Sequence, residues 1–268
     1  ITRYPGHGLF PKVMKSKPSS DRGRTRQQAA QVAMLLLNKQ ESPNAMLPDI
    51  GAKALDDFYY DNLTFDHEST EARHVRSALD LLLSLLGDGK RPKLQGHDLI
   101  HAALLVSSLS KEFVPSWKDS FATAFDEFSR KLKDAKSLRE ESEHYDYWTK
   151  YGQLTRANSD RGETIQARHA FYTQAILREL GDLVRKDPVR QFSSELREIV
   201  YFAQGKSCAQ CSGKVAWDDV EIHHVEEHSQ GGSTTLENAA LVHRECHPKS
   251  KLDVEAFAAK WAEINKPN

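Results

Sequence analysis

All three cysteines of this 268-residue chain fall in one short stretch near its C-terminal end, and they come in a pattern that packing alone does not call for. Cys208 and Cys211 form a C-x2-C pair, and His243 and Cys246 form an H-x2-C pair. Three thiolates and one imidazole can surround a zinc ion tetrahedrally. The zinc would tie the start of the segment to the helix expected at its end, which constrains the fold more than any other feature. No cysteine remains for a disulfide framework, the usage of a reducing, cytoplasmic compartment.

A second set of ligand-type residues overlaps the first. His223 and His224 stand side by side, Gly231 and Gly232 form a turn, Asn238 follows, and His247 comes directly after the last cysteine. Residues 220–224 alternate apolar and polar side chains, the pattern of a short strand, so His223 and His224 should project to opposite sides and do different work. Over residues 190–251 these motifs resemble the HNH endonucleases, also called ββα-metal nucleases. That family has a strand ending in Asp-His or His-His, a Gly-Gly loop, an Asn opening a helix, and a His nine positions after the Asn, a spacing kept by Asn238 and His247. Residues 229–232 are also similar to the colicin DNases, and the paired Cys motifs to the zinc-stapled, restriction-type branch. Two positions depart from the pattern. Glu227 stands where the family has proline, which bears on loop rigidity, and His243 stands where it has a third cysteine, a conservative change for zinc.

The resemblance implies a metal-dependent DNA endonuclease with a small zinc-stapled ββα domain. Cys208, Cys211, His243 and Cys246 would hold the structural Zn2+, and His223 and His247 one catalytic divalent cation. His224 would be the general base, a role suited to an imidazole whose unperturbed pKa is about 6.5. Asn238 would hold the loop and the catalytic histidine by hydrogen bonds. Because His223 replaces the Asp of many relatives, Mn2+, Co2+ or Ni2+ is expected to support cleavage better than Mg2+, which favours oxygen ligands. Arg244, Lys249 and Lys251 are candidate contacts to the backbone of double-stranded DNA, whereas His228 reads as a solvated loop residue. The rival readings are a non-cleaving, zinc-containing DNA-binding module and an intron-mobility or RNA-directed HNH nuclease. The chain carries no polymerase or guide-binding signature that would favour the last.

Arg190, Gln191, Phe192 and Ser193, followed by a helix over 195–203 and Gly205, are similar to the lead-in of HNH modules at the C-terminus of ParB-like restriction proteins of the GmrSD type. This likeness implies a role in restriction of foreign or modified DNA (phage defence), with the helical part as connector or sensor. It also implies an upstream nucleotide-dependent or sensor domain outside this chain, which begins at Ile1. A single ββα site cuts one strand, so a homodimer would serve double-strand cleavage.

The rest of the chain reads as mainly α, with a helical domain over 1–187 preceding the HNH domain over 188–268. The division falls where Pro188 interrupts the helical pattern. The composition, 39% hydrophobic and 28% charged, is that of an ordinary globular protein, and no stretch approaches the roughly 20 apolar residues of a membrane span. Apolar stripes run through Ala29, Val32, Ala33, Leu36 and Leu37, and through Ala72, Val75, Ala78, Leu79, Leu82, Leu83 and Leu86 up to Gly87. Residues 97–109 form a more continuous apolar run, a buried central helix. Ser116 is the expected cap of the next helix, with Trp117, Phe121, Phe125, Phe128 and Leu132 along one face. Ala167, Phe171, Ala175, Ile176 and Leu180 should face inward in the last long helix, leaving Arg156, Arg161, Arg168 and His169 outward as candidate DNA contacts. The net charge of -1 does not advertise nucleic-acid binding. Its best basic cluster is Lys12, Lys15, Lys17, Arg22, Arg24 and Arg26, read as a mobile arm or loop. After the metal motifs, Asp253 should cap a closing helix with Val254, Phe257, Ala258, Trp261 and Ile264 on its apolar face. No Walker-type glycine loop, dinucleotide fingerprint or internal repeat is present.

Overall fold

The computed structural model describes residues 4–14, 23–89, 93–137 and 145–264. The chain forms two compact units, one of Ile1–Lys111 with Ser116–Asp182, the other of Glu112–Pro115 with Leu183–Asn268. The architecture is mainly α, with one small two-stranded sheet near the C-terminus. No helix among the described residues is long and apolar enough to cross a membrane.

The first unit is built from eight helices among its described residues: α1 (Leu9–Val13), α2 (Arg24–Glu41), α3 (Ala52–Asp61), α4 (Thr70–Leu86), α5 (Gly96–Glu112), α6 (Trp117–Asp134), α7 (Tyr145–Leu154) and α8 (Gly162–Leu180). The α4 stripe forms as its spacing dictates. Ser69 accepts a hydrogen bond from the Ala72 amide at 3.1 Å and starts the helix, and Ala72, Val75, Ala78, Leu79, Leu82 and Leu86 are buried. Helix α5 is buried from Asp98 through Val106 on every side, the central helix that its continuous apolar run requires.

Several local expectations are corrected. Ser116 precedes α6 but makes no side-chain cap, because its backbone is already helical, whereas a capping residue is extended. The inward face of α8 is rotated: Ile165, Arg168, Tyr172, Ala175, Ile176 and Leu180 are buried, Phe171 is half-buried, and Ala167 is exposed. Tyr172, with its ring 4.9 Å from Phe128, removes far more apolar surface from water than an alanine methyl can. Arg168 follows it inward because the carbonyls of Leu154 and Ser159 accept from its guanidinium at 3.4 and 2.8 Å. His169 is also withdrawn, and burial pulls its pKa down to about 4, with Lys39 adding a repulsion. Arg161 is exposed but paired to Asp49 at 2.8 Å. Of the basic arm, Lys12 lies in α1 and Arg24 and Arg26 lie in α2, so these three are helical; Lys15, Lys17 and Arg22 lie outside the described residues.

The second unit contains α9 (Ser194–Ala203), β1 (Val220–His224), β2 (Ala239–His243) and α10 (Lys251–Ile264). Ser193 caps α9 by accepting from the Leu196 amide at 3.2 Å. The strands pair antiparallel, with Val220 opposite His243 and His224 opposite Ala239. Between α9 and the sheet lies a small core of Val200, Tyr201, Val215, Val220, Leu241, Val242 and Phe257. The Gln204 side chain satisfies the otherwise open edge of β2, donating to Ala239 O at 2.7 Å and accepting from Leu241 N at 2.8 Å. Helix α10 is capped by Ser250 rather than Asp253: the two form a reciprocal box, with Ser250 N and Oγ donating to the Asp253 carboxylate at 3.0 and 2.7 Å and Asp253 N donating to Ser250 Oγ at 3.2 Å. Phe257 is its buried anchor, flanked by half-buried Val254, Ala258 and Trp261, while Ile264 is exposed.

Candidate active site and metal centre

The four proposed zinc ligands converge. One ligand atom from each of Cys208, Cys211, His243 and Cys246 lies within 4.8 Å of all the others. His243 Nδ1 stands 3.4 Å from Cys211 Sγ and 3.8 Å from Cys246 Sγ. With zinc–sulfur and zinc–nitrogen bonds of about 2.3 and 2.0 Å, the edges of a coordination tetrahedron measure about 3.5–3.8 Å. The residues therefore fit the ion.

The surroundings of the group favour a cation. The Lys214 carbonyl accepts from His243 Nε2 at 3.0 Å, which fixes the tautomer and turns the Nδ1 lone pair toward the thiols. Burial pushes the Cys208 thiol up, but amides of Cys211, His243 and Gln210 and the Cys211 thiol outweigh it and bring the pKa down to about 7. Burial and the neighbouring sulfurs push Cys246 up to about 12, since crowded thiolates repel one another until a metal neutralises them. Cys208 is buried, at 2% exposure, and its amide is bonded to Gly213 O at 2.8 Å; the next amide, Ala209 N, donates to Leu241 O at 2.8 Å. The group thus joins the Cys208 turn to the end of β2 and the Cys246 turn beyond it. It does not reach the last helix, which begins only at Lys251.

The second set of residues gathers around the other end of the strand pair. His223 is buried, and its ring meets His247 at 4.8 Å and 87° and Phe257 at 4.8 Å. Its Nε2 is buried without a hydrogen-bond partner. His247 Nδ1 lies 3.1 Å from the Pro248 carbonyl; a carbonyl can only accept, so the lone pair of His247 sits on Nε2. Burial, then His247 and His224, pull His223 down to about 4, leaving it neutral at pH 7 as a metal ligand must be. An orphaned imidazole nitrogen beside a second imidazole with a directed lone pair suits a divalent cation.

His224 turns away from that pair. Its ring lies 4.3 Å from Phe192 and 5.9 Å from His228, and its Nε2 is 3.0 Å from Thr234 Oγ1. The Thr234 hydroxyl donates to the Val189 carbonyl, so it must accept from His224 Nε2–H, and Nδ1 is left as the basic nitrogen. Burial lowers the His224 pKa, His228 lowers it further and Asp187 raises it, with a net downward shift. The Asp187 carboxylate accepts from the amides of Thr234 at 2.7 Å and Val189 at 2.8 Å, and those amides hold its own pKa low.

The loop between the strands is held by Asn238. Its Oδ1 accepts from Glu226 N at 2.7 Å, and its Nδ2 donates to Glu226 O at 2.9 Å and Ser233 O at 2.8 Å. Asn238 sits immediately before β2 and opens no helix. Both glycines are required. Gly231 has φ +106°, in the left-handed region, and a Cβ on Gly232 would fall 1.8 Å from Glu226 O and 2.8 Å from Asn238 Nδ2. Glu227, at the family's proline position, has φ -56°, inside the range that a proline ring imposes. The loop keeps the bend without the ring.

His228 is half-buried rather than solvated; its Nε2 donates to the Asp187 carbonyl at 2.7 Å. Lys249 and Lys251 precede or open α10 and are exposed, Lys251 facing Glu255 at 3.7 Å. Arg244 is exposed as well, near Glu221 at 3.6 Å and the Asp218 carbonyl at 3.4 Å. Phe192, which packs on His224, belongs to the lead-in over residues 190–193, whereas Thr234 and the Asp187 that holds it carry no motif of their own. The one signal in the sequence is that Thr234 follows directly on the Gly-Gly turn and one serine.

No curated protein and no solved structure matches the chain. A family model described as HNH endonuclease matches residues 208–251, the segment that contains both ligand sets, the Gly-Gly loop and Asn238, and the chain therefore carries an HNH endonuclease domain there.

Proposed function

We propose that the second unit is a metal-dependent endonuclease acting on double-stranded DNA, and that its biological role is restriction of foreign or modified DNA. The observation that carries the reading is the division of labour along β1. His223 has a buried Nε2 without a partner and its ring lies 4.8 Å from that of His247, while neighbouring His224 is held through Nε2 by Thr234 with Nδ1 available.

In this reading His223 and His247 hold one divalent cation. When bound, the cation supplies polarisation of the scissile phosphate and neutralises charge on the leaving oxygen. His224, neutral near pH 7, takes a proton from the attacking water at Nδ1 and passes it to solvent. Phe192 and Thr234 keep the ring from rotating, and Asn238 keeps the loop on the strand. Cys208, Cys211, His243 and Cys246 hold a structural zinc ion that takes no part in the chemistry. Arg244, Lys249 and Lys251 supply cations for the DNA backbone. Two copies, or two binding events, are needed to cut both strands.

Plasmid cleavage by the full chain with Mn2+, Co2+, Ni2+ or Mg2+ tests this. Wild type should cut, more strongly with the first three ions than with Mg2+. His224→Ala should keep its zinc and its circular dichroism while losing at least 100-fold in rate, the lower end expected for removal of a general base. An uncut plasmid under all four ions, or an active His224→Ala, would refute the proposal.

A further inference from the structure

One short segment of the nuclease unit comes from far up the chain. Glu112–Pro115 connects α5 to α6, yet it groups with the second unit rather than the first. We propose that this segment braces the catalytic base, with Val114 as a positioning residue for DNA cleavage; the proposal rests on the endonuclease reading of His224.

The brace is a series of backbone and loop contacts. Residues 112–114 lie antiparallel to residues 184–186: Val114 N donates to Val184 O at 2.9 Å, Lys186 N donates to Glu112 O at 2.9 Å, and Phe113 stands opposite Arg185. A pair flanked in this way by two widely spaced bonds brings its side chains close, and the Arg185 guanidinium lies 5.7 Å from the centre of the Phe113 ring. Residues 183–189 form no helix and no strand beyond this bridge, so their course is set by what they bond. On the far side they hold the catalytic loop. The Asp187 carboxylate accepts from the Thr234 amide at 2.7 Å, the Asp187 carbonyl accepts from His228 Nε2 at 2.7 Å, and the Val189 carbonyl accepts from the Thr234 hydroxyl. Thr234 in turn holds His224 Nε2 at 3.0 Å.

A second contact bypasses residues 183–189. Val114 lies directly against the Gly-Gly turn: a Cβ on Gly231 would fall 3.0 Å from Val114 Cγ2. With φ +106° this turn position requires glycine and has no side chain to pack, and Val114 supplies the apolar contact in its place. Val114 is half-buried and stands outside the apolar cluster around Val200 and Phe257. Its contact therefore bears on the loop rather than on the core. One segment thus reaches the base by two routes, and because α5 and α6 carry its two ends, the brace is anchored in helices that take no part in the chemistry.

Hydrogen exchange followed peptide by peptide in the full chain tests the brace without reference to activity. In Val114→Ala, amides of residues 228–234 should exchange about tenfold faster than in wild type or more, the mark of easier local opening, while β1 and β2 keep their protection. In DNA cleavage with Mn2+, kcat should fall about tenfold with KM unchanged, a loss on the scale expected when a reacting group is slightly displaced. Coupling to the base separates positioning from packing alone: adding Val114→Ala to Thr234→Val should cost no further rate, because residues that act through one another are not additive. Unchanged exchange of residues 228–234, a Val114→Ala rate equal to wild type, losses that multiply in the double variant, or lost protection of β1 and β2 would each overturn the proposal. A wild type that cuts no DNA would remove the nuclease reading and leave the exchange result to decide the brace.

Discussion

Cys208→Ser should unfold the second unit and leave the first intact. A structural zinc site of this type contributes about 10–16 kcal/mol at neutral pH, against a stability of about 5–15 kcal/mol for a typical domain. Little else holds the Cys208 turn in place. Its attachments are Cys208 N to Gly213 O at 2.8 Å, Ser212 N to Cys208 O at 2.7 Å, Ala209 N to Leu241 O at 2.8 Å, Val215 N to Lys206 O at 2.9 Å and the Tyr201 hydroxyl to Val215 O at 3.1 Å, together about 5 kcal/mol at about 1 kcal/mol net each. The apolar cluster that the turn closes has Tyr201 and Phe257 as its fully buried aromatic side chains, with Phe192 and Trp261 packed partly buried against it, and is otherwise made of small and aliphatic residues, so it offers little surplus to offset the loss. Hydrogen exchange followed peptide by peptide separates the two units. In Cys208→Ser, or in wild type treated with a strong chelator, amides of β1 and β2 should exchange at rates near those of an unfolded chain. Those of α4, α5 and α8 should remain protected, and metal analysis should fall from one tightly held zinc per chain to none. Full protection of β1 and β2 in metal-free protein would refute the argument that the ion, rather than the core, holds this unit together.

Thr234→Val should lower kcat of DNA cleavage by roughly tenfold or more with the unfolding transition little changed, since it releases the His224 ring while the Thr234 amide still reaches Asp187; Thr234→Ser should restore activity, and a Val variant as fast as wild type would remove Thr234 from the positioning role. Glu227→Pro should stabilise the second unit by about 0.4–1 kcal/mol, because a φ of -56° is already what the ring demands; a fall in its denaturant midpoint would show that the loop is bent by other means. The first unit should weaken in acid. His169 is lowered to about 4 in the folded chain, below its unfolded value of about 6.5, so its contribution is complete above pH 6.5 and is lost as the pH falls from there toward 4. The loss is about 3 kcal/mol, and the urea midpoint of wild type should fall relative to that of His169→Gln across that interval. Parallel curves would exclude His169 as the source.

Legibility followed spacing. The zinc group, β1 and the α4 stripe rest on fixed intervals between residues of one chemical type, which backbone geometry converts directly into a shared face or a shared centre. The buried α5 was equally plain, because a helix apolar on every side has nowhere to go but inside. The face of α8 differs from the one that Ala167, Phe171, Ala175, Ile176 and Leu180 mark out, because Ile165, Arg168 and Tyr172 also turn inward. In the folded chain one carbonyl from the end of α7 and one from the turn before α8 receive Arg168, partners that no local pattern announces. The same limit hid Thr234 and Asp187. Thr234 bonds His224 across the loop and its amide bonds an Asp187 far away along the chain, and a hydroxyl or carboxylate in a loop looks alike whether it orients an imidazole or faces water. Asn238 was foreseen as a loop holder by resemblance, yet its place before a strand rather than a helix depended on where β2 begins.

The ladder gives the zinc group a second consequence. Side chains on a strand alternate with a period of two, so sliding one strand past the other by a single step would exchange what each face carries. His243 belongs to the group of three cysteines and one histidine whose spacing fits a metal ion, and it is paired with Val220; Gln204 clips the same strand at Ala239 and Leu241. An ion held there would act as an index mark: by fixing one rung, it would dictate which of two chemically identical neighbours faces His247 and which faces Thr234.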